Sequence, residues 1–160
     1  MPDIHALLER FRRGPELLAV VLTGVFGEEE DFSLPGKWSI RQIMAHLADA
    51  ELVGAHRFRQ VIAEEDPTLI AFDQDAWVHN LDYAQRKPKQ SLETFRRLRA
   101  ENYDLLKSLA PEAFERAGNH TQNGRMTLRQ MVEGYAQHAE SHARQLQETR
   151  EEYKRLKGRK

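Results

Sequence analysis

Along most of the chain apolar residues recur at steps of three and four, while alternation at every second position is nearly absent, so the pattern predicts helices throughout. The first predicted helix covers residues 3–22 and turns Leu7, Leu8, Phe11, Leu17, Leu18 and Val21 inward, with Gly14-Pro15 as a bend or break. Residues 23–38 read as a loop. Ser39-Ile40-Arg41-Gln42 then forms a capping box, in which the Ser39 hydroxyl and the Gln42 amide each satisfy a free backbone N–H. The helix it opens runs to Ala63 on a stripe of Ile40, Ile43, Met44, Leu47, Gly54, Phe58 and Val61, and Asp66-Pro67 stops it.

From residue 67 to residue 90 the periodicity weakens, although Asp73 can cap a short helix carrying Trp77. A third long helix is predicted over 91–109, with Leu92, Phe95, Leu98, Asn102, Leu105 and Leu109 near one face and one further turn at 111–115. The segment 118–124 is rich in Gly and Asn and reads as a loop. Thr127-Leu128-Arg129-Gln130 is a second capping box, opening a last helix that reaches Lys154. Four long helices, with a long, partly helical connection between the second and third, predict an all-α four-helix bundle occupying residues 1–160 as one domain.

Charge and composition narrow the function classes. Of 160 residues, 24 are basic and 25 acidic, so the basic surcharge of a nucleic-acid binder is missing. The longest uncharged apolar run, 17–26, is far short of the ~20 residues of a membrane span, and Met1-Pro2-Asp3 starts no basic leader, which predicts a cytoplasmic protein. Acidic residues 28–31 and basic residues 154–160 read as a solvated loop and a frayed tail. With no cysteine, any bound metal must take imidazole or carboxylate, and no thiol nucleophile comes from the chain itself.

Imidazoles are available. His138 and His142 lie four apart on the last helix, bordering its stripe of Leu128, Met131, Val132, Tyr135, Ala139 and Leu146, and residues at that spacing share a face. His46, beside Met44 and Leu47 on the second helix, supplies a third ring from a facing element. A metal would compensate the loss of water by these rings, but an inward histidine is as readily a satisfied core residue, and spacing alone leaves both readings open. His5, His56 and His79 read as surface residues. His120 precedes the last helix in a Gly-flanked loop that can fold over the bundle end.

The segment Trp38-Ser39-Ile40-Arg41-Gln42-Ile43-Met44-Ala45-His46-Leu47-Ala48-Asp49-Ala50-Glu51, followed by Tyr135-Ala136-Gln137-His138-Ala139-Glu140-Ser141-His142, resembles the DinB-like superfamily and its YfiT-like branch. Phe72 to Trp77, Asp82-Tyr83, Phe95 to Arg99 and His120 to Leu128 extend the resemblance across roughly 17–146. It implies an up-down-down-up bundle, commonly dimeric, in which His46, His138 and His142 hold a divalent ion of zinc or nickel type with one position open for water or substrate. It also implies one of two activities: transfer of a low-molecular-weight thiol of the bacillithiol type to electrophiles, or metal-dependent hydrolysis.

For the transferase reading the ion binds the sulfur of a small thiol; for the hydrolase reading it binds water and generates hydroxide, a route that wants a general base. Asp49, Glu51 and His120 are the candidate bases, and Asp49, three residues after His46, is alternatively a hydrogen-bond partner of that ring or a solvated carboxylate. The lack of a clearly placed base tilts the reading to the transferase, with a non-catalytic metal- or ligand-binding bundle as the third alternative. Arg57, about three turns from His46, is a candidate for an anionic substrate group. Trp77, Tyr83 and Arg99 are candidates for the mouth of a substrate pocket, against the plainer readings of loop packing for the aromatics and a solvated face for Arg99. The expected partners are a small-molecule substrate and a second copy of the chain, whose interface would cover apolar residues within 17–26 and 69–72.

Overall fold

The computed structural model describes residues 3–158. Six α-helices account for most of them: α1 (Ile4–Arg12), α2 (Gly14–Val21), α3 (Ile40–Ala63), α4 (Gln74–Asn80), α5 (Pro88–Lys107) and α6 (Leu128–Lys157). The helix expected over 3–22 is two helices, broken at Arg13, because Gly14-Pro15 starts the second one with a proline in its first turn. For the same reason α5 begins at Pro88, three residues before the expected Ser91. Both capping boxes are formed, Ser39 with Gln42 and Thr127 with Gln130.

Cross-helix contacts set the directions. Arg10 meets Glu140 and Glu29 meets Arg150, so the first helical arm runs parallel to α6. His46 meets His138 while Arg57, further along α3, meets Tyr135, earlier on α6, so these two are antiparallel. Glu51 meets Arg99 and Arg59 meets Asn102, so α3 and α5 run the same way. The arrangement is an up-down-down-up four-helix bundle.

Parallel neighbours require the chain to return along the bundle before α5 starts, about 30 Å for a helix of this size. The segment between α3 and α5 does so through a short strand β1 (Thr68–Leu69), then α4, then a tight helical turn at Tyr83–Gln85. Asp73 caps α4 by accepting from the Ala76 N–H at 2.9 Å.

The stretch expected as a loop at 118–124 is instead a β-hairpin. Strands β2 (Ala117–His120) and β3 (Gly124–Thr127) pair antiparallel, and β1 adds to β2 in parallel with Thr68 opposite Asn119. Strands this short carry too few residues for an alternating pattern, and the β1 pairing joins positions about fifty residues apart. The hairpin closes one side of the bundle.

Two large apolar clusters fill most of the interior, and a small third one joins Ala45, Val78 and Tyr83. One of the large clusters contains Leu7, Phe11, Phe58, Leu106, Leu128 and Val132; the other contains Leu18, Ile43, Met44, Leu47, Phe95 and Leu146. On α5 it is Leu106, not Leu105, that is fully buried. Of the apolar positions considered for an interface, Leu18, Val25 and Leu69 are buried within the chain, whereas Val20, Phe26 and Ile70 remain exposed.

The acidic stretch is no solvated loop: Gly27–Asp31 forms a 3-10 turn in which buried Glu29 holds Arg150 at 2.7 Å and Glu30 and Asp31 hold Arg41. At the other end α6 continues to Lys157, which pairs with Glu28 at 2.8 Å. Arg159 and Lys160, like Met1 and Pro2, lie outside the described residues. Among the described residues no helix is long and apolar enough to cross a membrane.

Candidate metal centre

His46 faces α6 because the capping box sets the phase of α3 from its first residue, placing Ile43, Met44 and Leu47 in the core with the ring between them and α6. On α6 the four-residue step stacks His138 over His142. The three Nε2 atoms converge: His46 to His138 at 3.0 Å and His142 to His138 at 3.1 Å. Trp38 lies against the back of the His46 ring at 5.0 Å between centroids. The Gln145 amide oxygen fixes the far nitrogen of His142, Nδ1, at 2.8 Å. Sequence reasoning left Gln145 out, although its three-residue step from His142 on one helix was a usable signal.

Burial lowers all three pKa values, to about 4 at His46 and about 3 at His138, where the neighbouring rings add to the effect. The rings are therefore neutral, the form that ligates metal. Neutral imidazoles do not satisfy one another here. His138 Nε2 faces two other ring nitrogens, and a single N–H or a single lone pair serves one of them well. Three imidazole nitrogens around one tetrahedral ion, each at ~2.0–2.1 Å, stand about 3.3 Å apart. The two separations to His138 are within a few tenths of an ångström of that and all three ligand atoms lie within 4.8 Å of one another, so the donor set fits a divalent ion.

His138 also forms part of the wall of a cavity of about 170 Å³ between α3, α6 and the hairpin. Its polar lining is Arg57, Gln74, His120, Asn123 and Tyr135, and its apolar lining includes Leu69, Phe72 and Met131. Gly54 permits the close approach of α3 to α6 beside it, since a Cβ there would stand 2.7 Å from the Tyr135 ring.

Of the residues singled out from the sequence, the structure brings Arg57 and His120 to this cavity. Arg57 donates to the Ile70 carbonyl at 2.7 Å and to the Tyr135 hydroxyl at 3.3 Å. His120 is not a base. Its Nδ1 accepts from the backbone N–H groups of Gln122 and Asn123, both at 3.1 Å, so the neutral ring carries its proton on Nε2. Burial and the nearby Arg57 charge lower its pKa and keep it in that form.

The other candidates lie elsewhere. Asp49 accepts from the Tyr83 hydroxyl at 2.6 Å and from Arg86 at 2.8 Å, which ties the returning connection to α3 and takes up the carboxylate as a base. Tyr83 is fully buried, packed with Ala45 and Val78, its pKa raised by burial and by Asp49. Trp77 packs on Phe72, which itself reaches the cavity wall, at 4.5 Å between centroids. Glu51 and Arg99, each 1% exposed, pair with one another by two bonds of 2.8 Å. That removes Glu51 as a base and Arg99 both as a pocket residue and as a solvated one. Tyr135, Phe72, Gln74 and Asn123 join the cavity without having been assigned to it from sequence, Tyr135 because a core stripe residue gives no sign that its hydroxyl ends in a cavity.

A model of the DinB superfamily matches residues 10–146 of this chain. A protein of Oceanobacillus iheyensis named "Putative metal-dependent hydrolase" is 30% identical over 129 residues, covering 80% of this chain and 74% of that one. YfiT from Bacillus subtilis, named in the same words, is 30% identical over 108 residues, covering 67% of this chain and 61% of its own length. The solved structure of YfiT, described as "a probable metal-dependent hydrolase with an unusual four-helix bundle topology", matches with a TM-score of 0.88 at 24% identity over 93% of this chain and 86% of that one. At that identity the structural likeness concerns the fold.

Proposed function

The chain belongs to the DinB superfamily, and on that premise we propose that it is a metal-dependent enzyme in which His46, His138 and His142 hold a divalent ion, zinc or nickel by preference, and a small thiol is transferred to an electrophile. The observation that carries this reading is the cavity wall: one of the three converging imidazoles, His138, lines a space whose polar lining contains no carboxylate. A bound ion would supply a Lewis acid that lowers the pKa of whatever acid ligates it. A thiol, with a pKa of ~8.5, needs far less further help from a side chain than water at ~15.7.

The chain's own groups fit that division of labour. Asp49 and Glu51 are committed to Arg86, Tyr83 and Arg99, and His120 offers an N–H instead of a lone pair, so none of the three candidate bases stands ready to take a proton from water. Arg57, His120 and Tyr135 present donors that orient a polar substrate, while Phe72 and Met131 exclude water on the other side. With no cysteine in the chain, the thiol is a co-substrate.

Hydrolysis is the second reading, favoured by the names of the relatives. Metal-loaded protein incubated with a model electrophile, with and without a panel of cellular thiols, separates the two. Thiol-dependent conjugation that disappears in His138→Ala supports transfer, and thiol-independent cleavage lost in the same variant replaces it with hydrolysis. Silence across the panel removes both in favour of a binding role.

A further inference from the structure

Arg57 stands apart from the other arginines that the fold buries or half-buries. Arg10, Arg12, Arg41, Arg86, Arg99, Arg129 and Arg150 each face a carboxylate within 4 Å. Among the described residues Arg57 faces none. Two of its five N–H groups are used, on the Ile70 carbonyl and the Tyr135 hydroxyl, and its Nε is buried without an acceptor. A half-buried cation without a counter-charge loses hydration and gains little in return. Its surroundings do not supply the missing charge, since the cavity lining holds no Asp or Glu.

Two further donors share that lining. His120 carries its proton on Nε2, because two backbone N–H groups occupy Nδ1, and among the described residues its ring makes no other hydrogen bond. The Tyr135 hydroxyl accepts from Arg57, which leaves its own proton to donate, and burial raises its pKa so that this proton is kept. We propose that Arg57, His120 and Tyr135 form a carboxylate-binding subsite beside the three histidines, so that the small molecule occupying the cavity is a monoanion with a short apolar body.

One fixed positive charge and neutral donors match one negative charge, and the remaining wall of Leu69, Phe72, Met126 and Met131 is apolar. A phosphate dianion would be undercompensated there. The inference rests on the cavity being the substrate site, and it adds the class of ligand that site takes.

Calorimetric titration of the full chain with butyrate, butyramide and inorganic phosphate tests it, on metal-loaded and on chelator-treated protein. Butyrate should bind both forms, and on chelator-treated protein butyramide and phosphate should be weaker by at least about tenfold, the scale of one hydrogen-bonded charge. Arg57→Gln should weaken butyrate about tenfold or more without changing metal content, and Arg57→Lys should recover part of the loss. His120→Asn, whose Oδ1 can still accept from the turn, should weaken it several-fold.

Binding of butyrate to loaded protein only, or equal binding by Arg57→Gln, would place the carboxylate elsewhere and overturn the subsite. Equal binding of butyramide or phosphate by chelator-treated protein would overturn the carboxylate assignment. Metal content of the wild type, read separately, reports on the three-histidine centre alone, so failure of the subsite and failure of the metal-dependent reading are distinguishable.

Discussion

Glu51 and His46 both project from α3 into the bundle and are each 1% exposed, yet the polar groups around them are satisfied in opposite ways. Around Glu51 the protein completes every bond itself. Arg99 reaches both carboxylate oxygens at 2.8 Å, the Phe11 carbonyl at 2.7 Å and the Tyr135 carbonyl at 3.2 Å, and Asn102 adds a donor to Glu51. Phe11 and Phe95 cover the guanidinium at 4.0 and 4.7 Å. Gly14 belongs to the same arrangement, since a Cβ there would stand 2.7 Å from the Arg99 Nη1. Around His46 the protein brings three neutral nitrogens together without a single group that serves them all, and Arg57, about three turns further along α3, faces no carboxylate among the described residues. A closed polar cluster holds helices in register; an open one could hold a metal ion.

The sharpest way to break this contrast is to open the closed cluster. Arg99→Met leaves Glu51 buried and unpaired, and the expected loss is about 3–5 kcal/mol. For a domain of this size that amounts to roughly 10 °C or more in Tm, measured by thermal and urea unfolding. The double change Glu51→Leu with Arg99→Met should recover much of it, because the cost lies in the orphaned charge. A single variant as stable as wild type would show that Glu51 and Arg99 do not lock the bundle.

The open cluster should respond to its ligand instead. Chelator treatment should lower stability by about 2.7 kcal/mol when the metal stands near 100 times its Kd. His138→Ala should remove that chelator-sensitive increment and reduce metal content to background. In the metal-free protein the same rings make stability depend on pH. The unfolded chain takes up protons near pH 6.5, whereas folded His46 and His138 do so only at about 4 and about 3. Stability is therefore full above about pH 6.5 and falls as pH drops below it, since the unfolded state binds more protons. Urea midpoints between pH 8 and 4 check the slope, and a flat profile would contradict buried neutral histidines.

Smaller still is the expected effect at the strap that returns the chain from α3 to α5. Tyr83→Phe removes its bond to Asp49, and the half-buried carboxylate keeps Arg86, so a loss of about 1 kcal/mol is expected with metal content unchanged. A loss of metal in that variant would tie the strap to the centre and blur the comparison.

Both capping boxes, the four-residue histidine step and the apolar stripes were legible in the sequence, because each is a relation between residues within one or two turns of the same helix. The helix order could be read from the same periodicities, and the candidate triad from His46, His138 and His142 sharing inward phases. The fates of Glu51, Arg99, Asp49 and His120 could not. A charged residue on a helix has the same local signature whether it meets water or an opposite charge, and Glu51 finds Arg99 forty-eight positions away only when α3 and α5 lie side by side.

The hairpin depends in the same way on β1 meeting β2 and on Thr121 binding the returning chain through the Ala71 N–H at 2.9 Å. Local periodicity determines which face of each element turns inward. Which polar groups are then answered within the protein, and which, like the three imidazoles and Arg57, are answered only in part, is decided only when the faces meet, because burial removes water from all of them and tertiary neighbours replace it for some.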